Sequence, residues 1–303
     1  MRSRDLLSIV DITPEEVRYL IDRAYELKRG VVSPILTGKS IALIFEKPSL
    51  RTRVSFEVAI NELGGNAVYL GGQEVGIGSR EPVRDIAKVL SGYVSAIIAR
   101  TFSHDTLDEL AAAASIPVIN ALSDYEHPCQ ALADLLTIYE KKGRLNGIKI
   151  AFVGDGNNVA NSLAFAALSV GASFTISSPL GYGFSPKVLD ECNRLSSVGG
   201  GSFNLAANPD QAVNGADVVY TDVWTSMGQE KEAGVRKKEF AAYQVNEDML
   251  ARASETAIFM HPLPAHPGEE VSASLLEDPR SVVFDQAENR LHAQKAILVE
   301  ILG

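Results

Sequence analysis

Apolar residues alternate along the chain between short strand-like runs and longer stretches in which they recur every three or four positions. The short runs fall at 41–45, 67–70, 95–99, 116–119, 148–153, 173–177, 217–221, 257–260 and 281–284. Their length suits strands, and most of the intervals between them carry amphipathic helices. Thr13-Pro14-Glu15-Glu16 opens the first helix: Thr13 caps it, Pro14 takes the first helical position and Glu16 reaches back to the cap. Strands alternating with helices predict an α/β chain with mostly parallel sheets covered by helices. The polar stretch Lys141 to Gly147 ends the helix begun near Pro128, and a fresh strand starts at Ile148. Two domains are expected, 1–145 and 146–286, with a C-terminal helix, 287–303, folding back on the first.

The unusual polar residues follow strand ends. Ser49 to Arg53 follow 41–45, Arg100 follows 95–99, and His127 and Gln130 follow 116–119. Asp155 and Asn158 follow 148–153, Asp222 follows 217–221, His261 follows 257–260, and Arg290 follows 281–284. In open α/β sheets ligands bind beyond the carboxyl ends of the strands, so these clusters predict one active site in a cleft between the two domains.

The net charge of −10 over 303 residues disfavours a general role with nucleic acid or membrane surfaces, which makes the cationic Ser49–Arg53 segment a local exception. Cys129 and Cys192 lack metal-ligand spacing, and two thiols in so long a chain suggest a reducing compartment. The first ten residues are charged, and no apolar run approaches the length of a membrane span. A soluble cytoplasmic protein without a metal centre is expected.

Within Glu46-Lys-Pro-Ser-Leu-Arg-Thr-Arg-Val-Ser-Phe56, Ser49 to Arg53 place two hydroxyls and two arginines where a strand ends and a helix begins. Unpaired helix N–H groups and the positive helix end gather an anion there, and guanidiniums grip it bidentately. The alternative is a helix start whose arginines face water or pair with Glu57 and Glu62. Gly154-Asp-Gly-Asn-Asn-Val159 resembles a dinucleotide turn, but Val159 occupies the third glycine position and the next strand ends in Ser177-Ser178-Pro179, with no acid for a ribose. Asn157 and Asn158 can cap a helix or hold a ligand. His127 and Gln130, three apart at a helix entry fixed by Pro128, can face one point and polarise a carbonyl; packing or capping is the plainer alternative, and Cys129 belongs to the core. Asp222 at a strand tip suits an ammonium group, and Trp224 suits a core anchor. His261-Pro-Leu-Pro264 is a stiff turn that either aims carbonyls at a ligand amide or is simply rigid.

Together these residues resemble the aspartate/ornithine carbamoyltransferase family over nearly the whole chain, with the Ser-x-Arg-Thr-Arg loop and the His-Pro-x-Gln motif resembling its carbamoyl phosphate site. Asn157-Asn158 and Asp222 with Ser226-Met227-Gly228 resemble its ornithine-accepting branch. The resemblance implies transfer of the carbamoyl group of carbamoyl phosphate to the δ-amine of L-ornithine, giving L-citrulline and phosphate, with no cofactor. It also implies a homotrimer or a multiple of trimers. Ser49, the Leu50 backbone, Arg51 and Thr52 would hold the phosphate; Arg100, His127 and Gln130 the carbamoyl group. Leu263, through its carbonyl, beside Pro262, would accept from the amide, and Arg290 would close on carbamoyl phosphate. Asn158, Asp222, Ser226 and Met227 would bind the amino-acid end of ornithine. Thr52, Arg100 and His127 would be the catalytic donors.

Three positions depart from the pattern: Pro262 stands where ornithine enzymes usually have cysteine, Pro267 where many relatives have arginine, and Gly76 about where some present a glutamine. The competing expectations are another amine acceptor or a non-catalytic regulatory relative. Aspartate is disfavoured as acceptor because Asp222 would repel a second carboxylate.

Overall fold

The computed structural model describes residues 4–30, 33–226 and 229–303. The chain divides into two compact units, Met1–Leu136 with Glu288–Gly303, and Thr137–Ala287.

In the first unit, β1 (Ser40–Phe45), β2 (Asn66–Gly71), β3 (Ala96–Arg100) and β4 (Val118–Leu122) make a parallel sheet in the order β2-β1-β3-β4. β3 is buried throughout and β1 from Ile41 onward, as befits strands covered on both faces. The helices that belong to this part of the chain are α1 (Pro14–Arg29), α2 (Leu50–Glu62), α3 (Gly72–Val75), α4 (Val83–Ser91), α5 (His104–Ala113) and the start of α6 (Pro128–Lys142). α1 begins with the expected capping box: Thr13 Oγ1 accepts from Glu16 N–H at 3.2 Å, and Glu16 Oε2 accepts from Thr13 N–H at 2.8 Å. Ile44, Ile97, Ala99 and Val118 pack with Leu107 and Leu110 of α5 in one core cluster. Leu6 bridges Ile119 beside β4, and the Ser8 hydroxyl and Ile9 N–H bind the buried Glu126 carboxylate. The N-terminal segment is thereby tied to the loop that carries His127.

In the second unit, β5 (Lys149–Val153), β6 (Ser173–Ser177), β7 (Phe203–Leu205), β8 (Val218–Tyr220) and β9 (Ile258–Met260) make a parallel sheet in the order β7-β6-β5-β8-β9. α7 (Asn158–Ser169) is buried from Val159 to Ser169, which matches its apolar circumference. α8 (Pro186–Gly199), α9 (Pro209–Val213), α10 (Ala233–Glu239) and α11 (Glu247–Leu250) follow, and α12 (Val283–Leu302) ends the chain. Phe152 stacks on Tyr220 with ring centroids 5.5 Å apart and meets Phe174 at 6.3 Å, joining three adjacent strands. No helix among the described residues is long and apolar enough to cross a membrane.

Two elements differ from the sequence expectation. The run 281–284 is no strand: Ser281 makes a single bridge to Phe259, and α12 already starts at Val283. A short run with two buried valines, Val282 and Val283, fits the start of a helix as well as a strand. Conversely, β7 went unexpected because it is three residues long and half exposed at the sheet edge.

Phe152→Ala is expected to lower the unfolding free energy by about 3–5 kcal/mol, the usual cost of emptying a fully buried aromatic site. Urea unfolding followed by circular dichroism measures it; a loss no larger than that of a surface substitution would contradict the central place given to this ring.

Candidate active site

In the first unit, the end of β1 leads into α2 through Ser49. Ser49 is the N-cap, in extended conformation, and its hydroxyl accepts from Thr52 N–H at 3.3 Å. The first amides of α2 have no acceptor within the helix and form an anion-receptive end. Leu50 is 77% exposed, Arg51 is half-buried and Thr52 is buried. The Arg51 side chain makes no hydrogen bond or ion pair among the described residues.

Arg100 closes β3, 6% exposed, with its Nε unpartnered. Arg290 lies within α12, not at a strand tip as the expected strand at 281–284 implied. Its guanidinium donates to Gln130 Oε1 at 2.6 Å and to Thr52 Oγ1 at 3.2 Å. Gln130 in turn donates to Asp134 Oδ1 at 2.8 Å, so both ends of its amide are engaged. His127 is buried at the entry to α6, where its carbonyl accepts from Gln130 N–H at 3.0 Å.

The electrostatics of this group are one-sided. Burial, then the charges of Arg290 and Arg51, lower the Arg100 guanidinium to about 10. Burial, then Arg290 and Arg100, hold the His127 imidazole well below its ordinary 6.5, so it is neutral at physiological pH. Like charges are thus gathered where solvent is excluded, an arrangement relieved by a bound anion. Arg53, the second arginine of the motif, is not part of the group. It pairs with Glu57 at 2.9 Å and lies 3.6 Å from the Tyr69 ring centroid, because its position turns it to the exposed side of α2. Burial pushes the Cys129 thiol up to about 12, as a core cysteine requires.

In the second unit, Asn157 caps α7, accepting from Val159 N–H at 3.0 Å and Ala160 N–H at 3.1 Å. Its Nδ2 donates to Asp222 Oδ2 at 2.8 Å, and Asp222 Oδ1 accepts from Val223 N–H at 2.8 Å. Burial raises the Asp222 carboxyl, while His261, Asn157 and the Val223 amide partly oppose the shift. Asn158 opens α7, with its Oδ1 accepting from Val159 N–H at 3.1 Å. The Ser226 amide donates to Gln229 Oε1 at 3.1 Å. Met227 lies outside the described residues.

The turn after β9 is held from within. Leu263 N–H donates to His261 Nδ1 at 2.9 Å, which leaves the proton of that imidazole on Nε2, 3.2 Å from Glu270 Oε1. Glu270 also accepts from His266 N–H at 2.5 Å. Leu263 takes φ 59°, a left-handed conformation that costs a branched residue ~1–3 kcal/mol and concentrates at functional turns. Pro262 and Leu263 are half-buried beside it. Gly76 also sits at φ 59°, where a Cβ would lie 2.7 Å from Arg80 Cβ, so a glutamine at that position would distort the turn. Sequence reasoning missed Asp134, Glu270 and Arg236. Glu269-Glu270 and Arg236-Lys237-Lys238 look like solvated charge runs, and nothing local marks one member of each as buried.

Comparison with known proteins agrees with this geometry. Residues 4–140 match the carbamoyl-P binding domain, and residues 146–301 the Asp/Orn binding domain, of aspartate/ornithine carbamoyltransferase. The chain belongs to the aspartate/ornithine carbamoyltransferase family. It is 51% identical over 307 residues to the ornithine carbamoyltransferase of Pyrococcus abyssi, a match covering 100% of this chain and 97% of that one. The crystal structure of ornithine carbamoyltransferase from Thermus thermophilus superposes with a TM-score of 0.90 at 47% identity, covering 99% of both chains. For the ornithine carbamoyltransferase structure from Pyrococcus furiosus the TM-score is 0.94 at 50% identity, covering 97% of this chain and 96% of that one.

Two outcomes follow from the electrostatics. Inorganic phosphate at a hundredfold excess over its dissociation constant is expected to stabilise the protein by about 2.7 kcal/mol. Arg100→Met should abolish that gain while melting no lower than the wild type without phosphate; differential scanning fluorimetry with and without phosphate decides, and an undiminished phosphate effect would contradict the cluster. For His127 the folded value is depressed, so the unfolded chain takes up the proton first and stability falls as pH drops below about 6.5. Denaturant titrations at pH 7 and pH 5 should therefore show a larger loss for the wild type than for His127→Gln, and equal losses would count against a neutral buried imidazole.

Proposed function

We propose that this chain transfers the carbamoyl group of carbamoyl phosphate to the δ-amine of L-ornithine, giving L-citrulline and phosphate. The observation that carries the reading is the one-sided cluster of Arg51, Arg100 and Arg290 around a neutral His127, which fits a dianionic phosphoryl ligand. Its complement is Asp222, a buried carboxylate with neutral donors, which fits an α-ammonium. Both clusters then serve one pair of substrates.

Ser49, the Leu50 amide, Arg51 and Thr52 hold the phosphate. Arg100, His127 and Gln130 hold the carbamoyl group, with Pro262 and the Leu263 carbonyl turned to its amide. Arg290 exchanges Gln130 and Thr52 for the ligand as it closes. Asn158, Asp222, Ser226 and Met227 hold the amino-acid end of ornithine. The attacking amine must be unprotonated, whereas a free alkylammonium titrates near 10; the positive field and exclusion of water lower that value. Attack on the carbamoyl carbon puts negative charge on its oxygen, which Thr52, Arg100 and His127 stabilise as donors. Arg51 and Arg290 neutralise the departing phosphate, and phosphate or water accepts the proton, since Pro262 offers no thiol. No step calls for a metal or cofactor.

Self-association as a homotrimer or a multiple of it, in the cytoplasm, completes the proposal. Leu50, Val54 and Val58 lie four apart along α2 and are all exposed, an apolar stripe suited to burial against another copy. Ultracentrifugation tests the trimer.

Two variants separate the subsites. Arg51→Ala is expected to weaken carbamoyl phosphate binding by ~1.5–3 kcal/mol, or roughly tenfold to a hundredfold, in calorimetry. Asp222→Asn is expected to weaken ornithine and spare carbamoyl phosphate. In an assay of carbamoylated product from ornithine, acetylornithine, putrescine and aspartate, ornithine should be preferred. Preference for another amine would replace the acceptor, and unchanged carbamoyl phosphate affinity in Arg51→Ala would defeat the phosphate assignment.

A further inference from the structure

Arg236 of α10 joins the two strand tips that carry the acceptor residues. It is only 6% exposed. Its Nη1 donates to Asp155 Oδ2 at 2.7 Å and to the Trp224 carbonyl at 2.9 Å, and its Nε donates to Glu232 at 3.1 Å. Its guanidinium lies 4.9 Å from the Tyr182 ring centroid, and Tyr182 and Trp224 both pack on Phe240. Asp155 follows β5 just before Asn157 and Asn158, and Trp224 lies between Asp222 and Ser226 after β8. β5 and β8 are hydrogen-bonded neighbours.

Two buried carboxylates therefore stand at adjacent strand tips. Asp155 has an arginine, whereas Asp222 accepts from the Asn157 amide and the Val223 N–H, with His261 and Glu270 as its charged neighbours. Burial raises the Asp155 carboxyl, Arg236 opposes that shift, and the charge of Asp222 adds to it. The charge of Asp222 acts on Asp155, so removing Arg236 leaves Asp155 with an acidic neighbour and no arginine to oppose it.

Resting on the ornithine reading above, we propose that Arg236 is the positioning residue of the acceptor subsite. It neutralises Asp155 so that Asp222 alone meets the α-ammonium, and it pins the Trp224 carbonyl so that Asp222 and Ser226 are held in place. With Asp155 matched by an arginine, the Asp222 carboxylate is the one offered to the ammonium.

The experiment is steady-state kinetics with saturating carbamoyl phosphate and varied ornithine, from pH 6 to 9, for wild type, Arg236→Met, Arg236→Lys, Asp155→Asn and the double variant Asp155→Asn/Arg236→Met. Arg236→Met is expected to raise the ornithine KM about tenfold or more, the effect of losing a buried charged contact. The KM for carbamoyl phosphate should stay unchanged, and the ornithine kcat/KM should gain an ionisation on its acid limb. The double variant should lose that ionisation, and Arg236→Lys should recover part of the ornithine KM. An unchanged ornithine KM in Arg236→Met, or both KM values rising together, would overturn the proposal. Should Arg236→Met fail to fold, Asp155→Asn decides: it removes one of the two carboxylates that balance Arg236 and loosens its hold beside the subsite, so its ornithine KM must rise, and an unchanged value overturns the proposal. A wild type that carbamoylates no ornithine is a separate result, and it defeats the function on which the proposal rests.

Discussion

Arg100 and Arg290 are almost fully withdrawn from water and sit close enough to disfavour each other's charge, with Arg51 adding to the repulsion. Such an arrangement runs against folding, and the rest of the first unit holds it in place. β3 delivers Arg100 at the end of a fully buried strand, where the backbone is fixed on both sides by β1 and β4. The Ser49 cap sets the first turn of α2, and the Thr52 and Gln130 oxygens orient the Arg290 guanidinium. The proximity of His127 follows the same logic, since two neighbouring cations and burial keep its ring uncharged. Affinity for an anion is here stored as repulsion among the groups that receive it.

The second unit solves the reverse problem. Its strand tips carry two acidic groups, and Asp155 is the one bound by an arginine. The His261–Glu270 pair serves the backbone: both partners accept from main-chain amides, Leu263 and His266, and so hold a turn that includes a leucine in left-handed conformation. One buried pair fixes side chains and the other fixes peptide geometry. A buried ion pair such as Arg236–Asp155 often adds little net stability, and its contribution here lies in fixing the loop that carries Trp224.

How much of this was legible in the sequence depended on whether the signal was local. The helix opened by Thr13-Pro14-Glu15-Glu16 declares itself within four residues, and eight of the nine strand runs stand out as apolar blocks. The Ser49–Arg53 turn stood out because its hydroxyls and arginines are contiguous, and Asp222 because a carboxylate at a strand tip is conspicuous. Arg53 was indistinguishable from Arg51 in sequence, since only the turn of α2 toward Tyr69 and Glu57 separates them. β7 is too short and too exposed to announce a period. The segment 281–284 carried strand composition, but the chain had room there for one bridge only. Arg236 and Glu270 were hidden among neighbours of like charge, because burial is decided by partners far away in sequence: 81 residues separate Arg236 from Asp155.

Arg290 stands 160 residues beyond Gln130 and 238 beyond Thr52. A ribosome that has already released all four strands of the first sheet has yet to make the residue that completes their anion cluster. A nascent chain at that stage holds Arg51 and Arg100 without Arg290, under weaker mutual repulsion than in the finished protein. The residue that completes the cluster is thus the last of its members to be made.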